Sequence, residues 1–360
     1  MFLFVICQAG AEAALKAEVL GQWPEFRFSY SRPGFVTFRI PADLGPDLDL
    51  KSTFARTYGQ SLGRLTGSIA ERLAAGVWEL VGDRPVHRLH VWERDRSLPG
   101  TDGFQPGPTV LATEMAQLIV GSQPEDRAPI PINTVAGTGH TVLDCVLVEP
   151  GEWWIGIHKA TSPQSRWPGG VCRVSSVTEP VSRAFYKMEE GLRWSMLPVA
   201  RGDACAEIGC APGGAAQALL ARGVTLLGID PAEVDERMSE YPGFSHIRKR
   251  AADMKRRDFR EVRWLFLDAN IAPQSALDEI EPIISHESVH IRGMLLTLKL
   301  VDSRIADAIP DYLERVRSWG FEYVRSRQLA FSRREFCIAA MRNRGMRRPS
   351  LRRQKRAVGR

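Results

Sequence analysis

The chain lacks any run of the roughly 18 apolar residues that a membrane-spanning helix requires. Its short apolar start, Phe2–Cys7, has no basic residues before it, although a secretory signal would normally carry them. Neither membrane insertion nor export is indicated, and we expect a protein of the cytoplasm.

Cysteine pairs of the kind that bind a metal or build a disulfide framework are also absent. The six cysteines include no C-x-x-C pair. The sequence therefore predicts no metal site and no disulfide framework, and a reducing compartment fits best.

Two common nucleotide-binding motifs are missing as well. The chain contains neither G-x-G-x-x-G at a strand–helix junction nor the phosphate loop G-x-x-x-x-G-K-[ST]. Nicotinamide cofactors and nucleoside triphosphates are therefore disfavoured as ligands.

The composition is that of a globular protein, with 360 residues, 44% hydrophobic and 25% charged. This length predicts two domains. The formal net charge is +6, but the last twenty residues, Met341–Arg360, hold eight arginines, one lysine and no acid. Such a basic tail is either a solvated appendage or an arm that attracts a polyanion such as RNA.

The first 160 residues predict an α+β region. Apolar periodicity indicates helices and strands in two groups, followed by a Pro- and Gly-rich loop at Thr161–Gly170. The expected elements are strand Phe2–Gln8, helix Ala11–Trp23, strands Phe26–Tyr30 and Gly34–Ile40, helix Ser68–Val81, strand Val86–Trp92, helix Val110–Gly121, and strands Val142–Val148 and Trp153–His158. We place a linker at 161–179.

From residue 180 onward, strands and helices alternate, which predicts a Rossmann-like α/β domain over 180–342 with a mostly parallel sheet. The last two strands are close together and predict an antiparallel hairpin. The expected elements are strand Ala204–Ile208, helix Gly214–Ala221, strands Val224–Ile229, Arg263–Leu267 and Met294–Leu298, helix Asp302–Trp319, and hairpin strands Phe321–Gln328 and Phe336–Met341. Residues 343–360 form the basic tail.

A glycine-rich loop follows the first strand of this domain, where open α/β sheets bind nucleotide-like ligands. Asp230 lies twenty-one residues after Gly209, at the end of the next strand, where a carboxylate can accept both ribose hydroxyls. Asp253 either contacts an adenine amino group or is a solvated loop acid. The candidate cofactor-binding residues are Glu207, Gly209, Cys210, Ala211, Pro212, Gly213, Gly214, Asp230, Asp253 and Asp268.

The loop Gly209–Gly214, read Gly-Cys-Ala-Pro-Gly-Gly, resembles motif I of the FtsJ-like RNA ribose 2′-O-methyltransferases. Four further segments of residues 180–342 resemble the segments that carry the catalytic residues of that family. They are Ser182–Leu192, Leu265–Asp268, Leu296–Leu300 and Ser332–Phe336.

This resemblance implies a Lys-Asp-Lys-Glu catalytic tetrad at Lys187, Asp268, Lys299 and Glu335. It also implies S-adenosyl-L-methionine as cofactor and a structured RNA, ribosomal RNA in particular, as substrate. The layout of residues 1–160, with the segment Glu149–Gly156, resembles the ferredoxin-like and THUMP RNA-binding modules of some members. Ala215 and Ala216 depart from the family, because relatives often carry a larger or hydroxylated residue there.

The proposed chemistry requires a base, because a ribose hydroxyl is a poor nucleophile until it is deprotonated. We expect Lys299 to be this base, since burial in an apolar strand and a neighbouring Lys187 both favour the neutral amine. Asp268 and Glu335 would orient the amines. Taken singly, each of three residues has an ordinary explanation. Lys299 is then a strand lysine that reaches solvent, Asp268 an acid that caps the chain after a strand, and Glu335 a charge on a hairpin.

Other residues remain open to two interpretations. Arg333 and Arg334 either hold RNA phosphates or only solubilise the turn, and the tryptophans Trp153, Trp154 and Trp167 either stack on bases or pack inside the protein. We expect packing for two of the three. Alternatives to RNA methylation are methylation of another substrate class on the same fold, or a non-catalytic RNA-binding or assembly protein. The oligomeric state is not determined.

Overall fold

One seven-stranded sheet is formed by the first 160 residues. The computed structural model describes residues 1–45, 48–176, 178–300 and 303–342, so the predicted tail at 343–360 lies outside the described residues. The elements of this region are β1 (Phe2–Ile6), α1 (Glu12–Gln22), β2 (Arg27–Arg32), β3 (Phe35–Arg39), β4 (Thr57–Thr66), α2 (Ala70–Val81), β5 (Arg88–Glu93), α3 (Val110–Gly121), β6 (Thr141–Glu149) and β7 (Glu152–Lys159). The strand order is β2-β3-β1-β4-β7-β6-β5, and β5 and β6 form its one parallel pair among the described strands.

Strand β4 is central in this sheet, yet its sequence did not predict it. It pairs with β1 on one side and β7 on the other. Its residues, TYGQSLGRLT, include two glycines and no apolar alternation, so the strand is specified by its two neighbours rather than by its own pattern. The two predicted groups of N-terminal elements therefore share a single sheet.

A second seven-stranded sheet lies in the unit that follows, from Ala184 onward. Its elements are α4 (Ala184–Ser195), β8 (Ala204–Ile208), α5 (Gly214–Leu220), β9 (Thr225–Ile229), β10 (Phe244–Ile247), β11 (Trp264–Leu267), α6 (Pro273–Ile284), β12 (Gly293–Lys299), α7 (Ser303–Asp307), α8 (Ile309–Ser318), β13 (Tyr323–Arg327) and β14 (Glu335–Met341). The order is β10-β9-β8-β11-β12-β14-β13, with β14 antiparallel to both β12 and β13. The predicted parallel sheet with an antiparallel terminal hairpin is confirmed.

Four features of this unit differ from the sequence prediction. Helix α4, strand β10 and helix α6 were not predicted, and the single helix expected over Asp302–Trp319 is instead two helices, with the second beginning at Ile309. Pro310 explains this interruption, because proline has no backbone N–H to continue the helical hydrogen bonds and is best accommodated in the first turn of a helix, where it lies in α8. Asp302 itself lies outside the described residues.

The two units share one apolar core. A continuous cluster of buried side chains joins Val5 and Leu15 of the first unit to Ile208, Leu296 and Phe336 of the second. Thr53 and Ser326 are also hydrogen-bonded through their hydroxyls at 2.6 Å, and the Gln328 amide donates to the Thr53 carbonyl at 2.7 Å. The units therefore pack as neighbours in one structure.

The connection between the units is irregular but well packed. It contains two short 3₁₀ turns, Gln164–Arg166 and Pro168–Gly170. Its carbonyls accept hydrogen bonds from arginines of both units, because Arg56 Nε donates to Gly169 at 2.9 Å and Arg327 Nη2 donates to Gly170 at 3.1 Å. The predicted linker is thus part of the packed interface.

The three tryptophans named above follow the packing interpretation. Trp153 and Trp167 are buried, and the partly buried Trp154 stacks on Tyr30 with ring centroids 5.7 Å apart. Among the described residues, no helix is long and apolar enough to cross a membrane.

Candidate active site

The glycine-rich loop begins where β8 ends. Gly209 has φ +79°, a conformation that side-chain-bearing residues rarely adopt, and its amide donates to the Ile229 carbonyl at 2.9 Å. A Cβ at this position would lie 2.7 Å from the Asp268 carbonyl oxygen. Glycine is therefore required for the loop to pass directly against the end of β11, where Asp268 lies.

Three acids surround this loop. Glu207 is buried at 1% exposure, and its Oε2 has no hydrogen-bond partner among the described residues. Burial raises the pKa of Glu207 well above its usual value, and the nearby carboxylates of Asp268 and Asp230 raise it further. A crevice with this excess of acidic groups favours a cationic ligand that can donate to Glu207.

Asp230 is positioned by the loop it faces. Its Oδ2 accepts from the Ala211 amide at 3.1 Å and its Oδ1 accepts from the Ala232 amide at 2.8 Å. Each carboxylate oxygen can accept a further hydrogen bond, so Asp230 is still able to receive hydroxyl groups. These features fit S-adenosyl-L-methionine. The Glu207 oxygen without a partner among the described residues fits its amino-acid part, Asp230 fits its ribose, and the backbone at Gly209 leaves room for the ligand.

The four residues of the predicted tetrad converge from separate elements. Lys187 lies on α4, Asp268 directly follows β11, and Lys299 and Glu335 are directly opposite each other on the antiparallel strands β12 and β14. Because β8, β11 and β12 are parallel neighbours, their carboxyl ends meet at one edge. The tetrad therefore lies beside the glycine-rich loop.

Within the tetrad, each lysine contacts both carboxylates. Lys187 Nζ lies 2.5 Å from Asp268 Oδ2 and 3.2 Å from Glu335 Oε2, and Lys299 Nζ lies 3.2 Å from Asp268 Oδ1 and 2.6 Å from Glu335 Oε1. All four side chains are 12–16% exposed. The result is a nearly buried ring with alternating charges.

The ring affects the titration of Lys187. Burial acts to lower the pKa of Lys187, but the carboxylates of Asp268 and Glu335 outweigh burial, and the pKa is raised above its usual value. Lys187 is therefore held as an ammonium ion at neutral pH. Each lysine donates to two carboxylates, which leaves one position on each nitrogen for a substrate.

Other predicted residues take different places. Cys210 is buried at 2% exposure, and Ala211 contributes its amide to Asp230. Pro212 and Gly213 complete the loop up to α5, which begins at Gly214. Asp253 is exposed in a 3₁₀ turn after β10, and none of its hydrogen bonds among the described residues reaches the loop or the tetrad.

Ala215 and Ala216, which depart from the family pattern, have a packing role. Both are buried in the first turn of α5, in the same apolar cluster as Phe185 and Met188 of α4. Small side chains at these positions let α5 approach the helix that carries Lys187. The departure therefore affects helix packing, while the glycines of the loop are intact.

Two residues were missed by the sequence interpretation: Glu190 of α4, and Arg183, the N-cap residue directly before it. Glu190 is fully buried, and its carboxylate accepts from the amides of Ala330 and Phe331 at 2.9 and 3.0 Å, which positions the loop before Glu335. Arg183 reaches the same loop. Glu190 lies three residues after Lys187, and Arg183 lies four residues before it. On a helix this spacing places all three side chains on one side, and this periodicity could have identified them.

The second unit, with the charged ring at the carboxyl edge of its sheet, is similar to a class of protein, the methyltransferases. Residues 180–345 match the family described as FtsJ-like methyltransferase.

More particular relatives share the name ribosomal RNA large subunit methyltransferase M. The one from Halorhodospira halophila is 25% identical over 354 residues, 95% of this chain and 97% of the relative. The one from Laribacter hongkongensis is 26% identical over 161 residues, 42% of this chain and 44% of the relative. Among solved structures, TrmN from Thermus thermophilus matches 94% of this chain and 99% of its own at 13% identity, with a TM-score of 0.36.

Proposed function

We propose that this protein transfers a methyl group from S-adenosyl-L-methionine to a ribose 2′-hydroxyl of ribosomal RNA, with Lys299 as the general base. The observation that carries the proposal is the ring of Lys187, Asp268, Lys299 and Glu335 beside the glycine-rich loop. The name of both relatives, ribosomal RNA large subunit methyltransferase M, supports ribosomal RNA as the substrate.

The cofactor would lie along the loop, with Glu207 toward its ammonium group and Asp230 toward its ribose. When bound, S-adenosyl-L-methionine supplies an activated methyl group on a sulfonium ion. Asp268 follows β11 directly and its backbone touches Gly209, so one short segment connects the cofactor loop to the tetrad. This arrangement would align the two reactants for an in-line displacement.

The two lysines have different roles in the proposed mechanism. Lys187, whose pKa is raised, remains charged and stabilises negative charge that develops on the substrate oxygen. Lys299 in its neutral form would donate its two N–H groups to Asp268 and Glu335, and the lone pair on Nζ would then point away from both carboxylates. That lone pair would accept the proton of the 2′-hydroxyl.

The base can be tested by replacing Lys299. Lys299→Ala should lower the methyl-transfer rate by roughly 10²- to 10⁴-fold, because the proton of the hydroxyl has no acceptor. Lys299→Arg restores the positive charge but remains protonated, and it should be equally slow. Methyl transfer from radiolabelled cofactor to large-subunit rRNA measures the rate, and calorimetry should show cofactor binding within about twofold of wild type, a difference of roughly 0.4 kcal/mol.

The arginine variant is the decisive control. If Lys299→Arg retains wild-type activity, Lys299 is not the base and the ring acts only through its charge. If the wild-type protein binds cofactor but leaves rRNA unmethylated, the substrate is of another class. If it binds no cofactor, the protein is a non-catalytic RNA-binding or assembly factor.

The substrate can be identified in cells. Deletion of the encoding gene should remove one 2′-O-methylated nucleoside from large-subunit rRNA, and a plasmid copy should restore it while a Lys299→Ala copy should not. Mass spectrometry of nuclease digests locates the nucleotide. An unchanged rRNA methylation pattern in the deletion strain would contradict the proposal.

A further inference from the structure

Two arginines that the proposed mechanism does not use come together next to the tetrad. Arg183 lies four residues before Lys187, about one helical turn away, and Arg333 lies two residues before Glu335, in the bend that precedes β14. Glu335 is the acid whose charge acts on Arg183. Both guanidinium groups therefore border the ring of lysines and carboxylates.

The loop that contains Gly100 shows how close the two guanidinium groups are. A Cβ at Gly100 would lie 1.5 Å from Arg183 Nη1 and 2.7 Å from Arg333 Nη2. Gly100 has φ +77°, and its amide donates to the Phe104 carbonyl at 2.6 Å, so the loop is closed at this point. Only a residue without a side chain fits between the arginines.

Neither arginine is neutralised. Arg183 Nη2 donates to the Phe331 carbonyl at 3.4 Å and Arg333 Nε donates to the Pro99 carbonyl at 2.7 Å, but neither forms an ion pair with a carboxylate among the described residues. Arg183 Nη1 is buried and has no hydrogen-bond partner within the described ranges. Burial lowers the pKa of Arg183, and the charge of Arg333 lowers it further.

Two like charges held together in this way are unfavourable unless an anion joins them. A phosphate group suits the pair, because its oxygens can receive parallel N–H bonds from planar guanidinium groups. The position beside the tetrad identifies which phosphate. In a ribose, the carbon that carries the 2′-hydroxyl is bonded to the carbon that carries the 3′-phosphodiester oxygen. A substrate with its 2′-hydroxyl at Lys299 therefore has a phosphate close by.

We propose that Arg183 and Arg333 form a phosphodiester-binding site that holds the RNA backbone next to the target ribose. This inference rests on the proposed function. The Pro99–Gly100 turn of the N-terminal region helps to build the site, since its Pro99 carbonyl fixes Arg333. Both units of the protein thus contribute to substrate positioning within one site.

The test uses the full-length protein with Arg183→Gln, Arg333→Gln and the double variant. Each single change should raise the KM for large-subunit rRNA by about tenfold, since a charge-assisted hydrogen bond is lost. The double variant should lower the slope of log affinity against log salt by about 1, the value for one phosphate contact. Cofactor binding by calorimetry should stay within about twofold, a difference of roughly 0.4 kcal/mol.

Arg317→Gln is the matched control, because it removes one positive charge from an exposed position on α8. It should leave both KM and the salt slope unchanged. Arg333→Lys should recover part of the affinity, because it restores the charge without the planar fork. Inorganic phosphate should compete with rRNA for wild-type protein and compete less for the double variant.

The outcomes separate this site from the function itself. If wild-type protein methylates rRNA while Arg333→Gln and Arg183→Gln keep its KM and salt slope, the phosphate site is wrong and the proposed function stands. If wild-type protein does not methylate rRNA, the proposed function fails first. If Arg183→Gln unfolds, the phosphate site is tested at Arg333, which is exposed. Arg333→Gln and the charge-reversed Arg333→Glu should then both raise the KM for rRNA.

Discussion

At the scale of single residues, Glu207 is held in a state that opposes folding. Its carboxylate is buried, one oxygen has no hydrogen-bond partner in the part of the chain that the structure describes, and its pKa is raised by burial and by the neighbouring acids. An ionised carboxylate in such a place destabilises the protein unless a ligand compensates. A cationic ligand with a donor group would relieve this, so the residue favours binding at the expense of stability.

Glu207→Gln should therefore make the free protein more stable and the cofactor complex weaker. A raised folded-state pKa means that stability decreases as pH rises from the unfolded value of 4.5 toward the folded value. At pH 8 the variant should gain roughly 1–3 kcal/mol in unfolding free energy, and at pH 4 it should gain almost nothing. Urea titrations at the two pH values, with cofactor calorimetry, measure both effects.

An equal gain at pH 4 and pH 8 would show that the ionised carboxylate is not the cause. A variant that binds cofactor as tightly as wild type would show that Glu207 does not face the ligand.

The residues of the tetrad could be predicted because their identities and order along the chain are distinctive. The sequence also predicted the glycine-rich loop. It could not predict that each lysine contacts both carboxylates, since those contacts depend on the register of β12 and β14 and on the packing of α4. Arg183 and Glu190 were not predicted as part of the site, because an arginine and a glutamate on a helix are usually solvated.

At the scale of elements, the loop after β8 depends on the absence of a side chain at Gly209. Gly202 provides a matched control, because it has a similar φ of +83° but no atom lies within 4 Å of its added Cβ. Gly202→Ala should cost only backbone strain, about 1 kcal/mol or somewhat more. Gly209→Ala should suffer the same strain and also push against Asp268.

We expect Gly209→Ala to weaken cofactor binding and methyl transfer at least tenfold, a change of about 1.4 kcal/mol, whereas Gly202→Ala should retain both. Calorimetry and the rRNA methylation assay measure these effects at a temperature where both variants are folded. Equal activity in the two variants would mean that the loop tolerates a side chain beside Asp268.

The missed elements have identifiable causes. Strand β10 has four residues, which is too short to show a period, and α6 contains Pro282, which argues against a helix in a sequence. Strand β4 has no apolar alternation that could predict it. Its conformation is set by pairing with β1 on one side and β7 on the other. By contrast, α3 was predicted with its full bounds, since Thr109 caps a regular apolar helix.

At the scale of the whole molecule, Arg327 joins the two units. It is buried on β13, and its guanidinium donates to the carbonyls of Ala55, Arg56 and Gly170 at 3.4, 3.0 and 3.1 Å. Burial lowers the pKa of Arg327 to about 10, while the charge of Glu190 acts in the opposite direction. Arg327 therefore remains charged at neutral pH and holds three backbone segments together.

Arg327→Met should destabilise the protein by about 3–5 kcal/mol, because buried carbonyls lose their donor and Glu190 loses a compensating charge. Arg317→Met, at an exposed position of α8, should change stability by no more than about 0.5 kcal/mol. Chemical denaturation followed by tryptophan fluorescence measures both. Similar midpoints for the two variants would show that Arg327 is not a structural link.

The packed connection between the units limits how far the protein can be treated as two interchangeable parts. Gly169 and Gly170 give their carbonyls to Arg56 of one unit and Arg327 of the other. A chimaera that grafts this N-terminal region onto another catalytic domain would therefore have to keep residues 161–176 and supply an arginine at the position of Arg327. Exchange of either unit alone would leave one of these two carbonyls without its arginine donor.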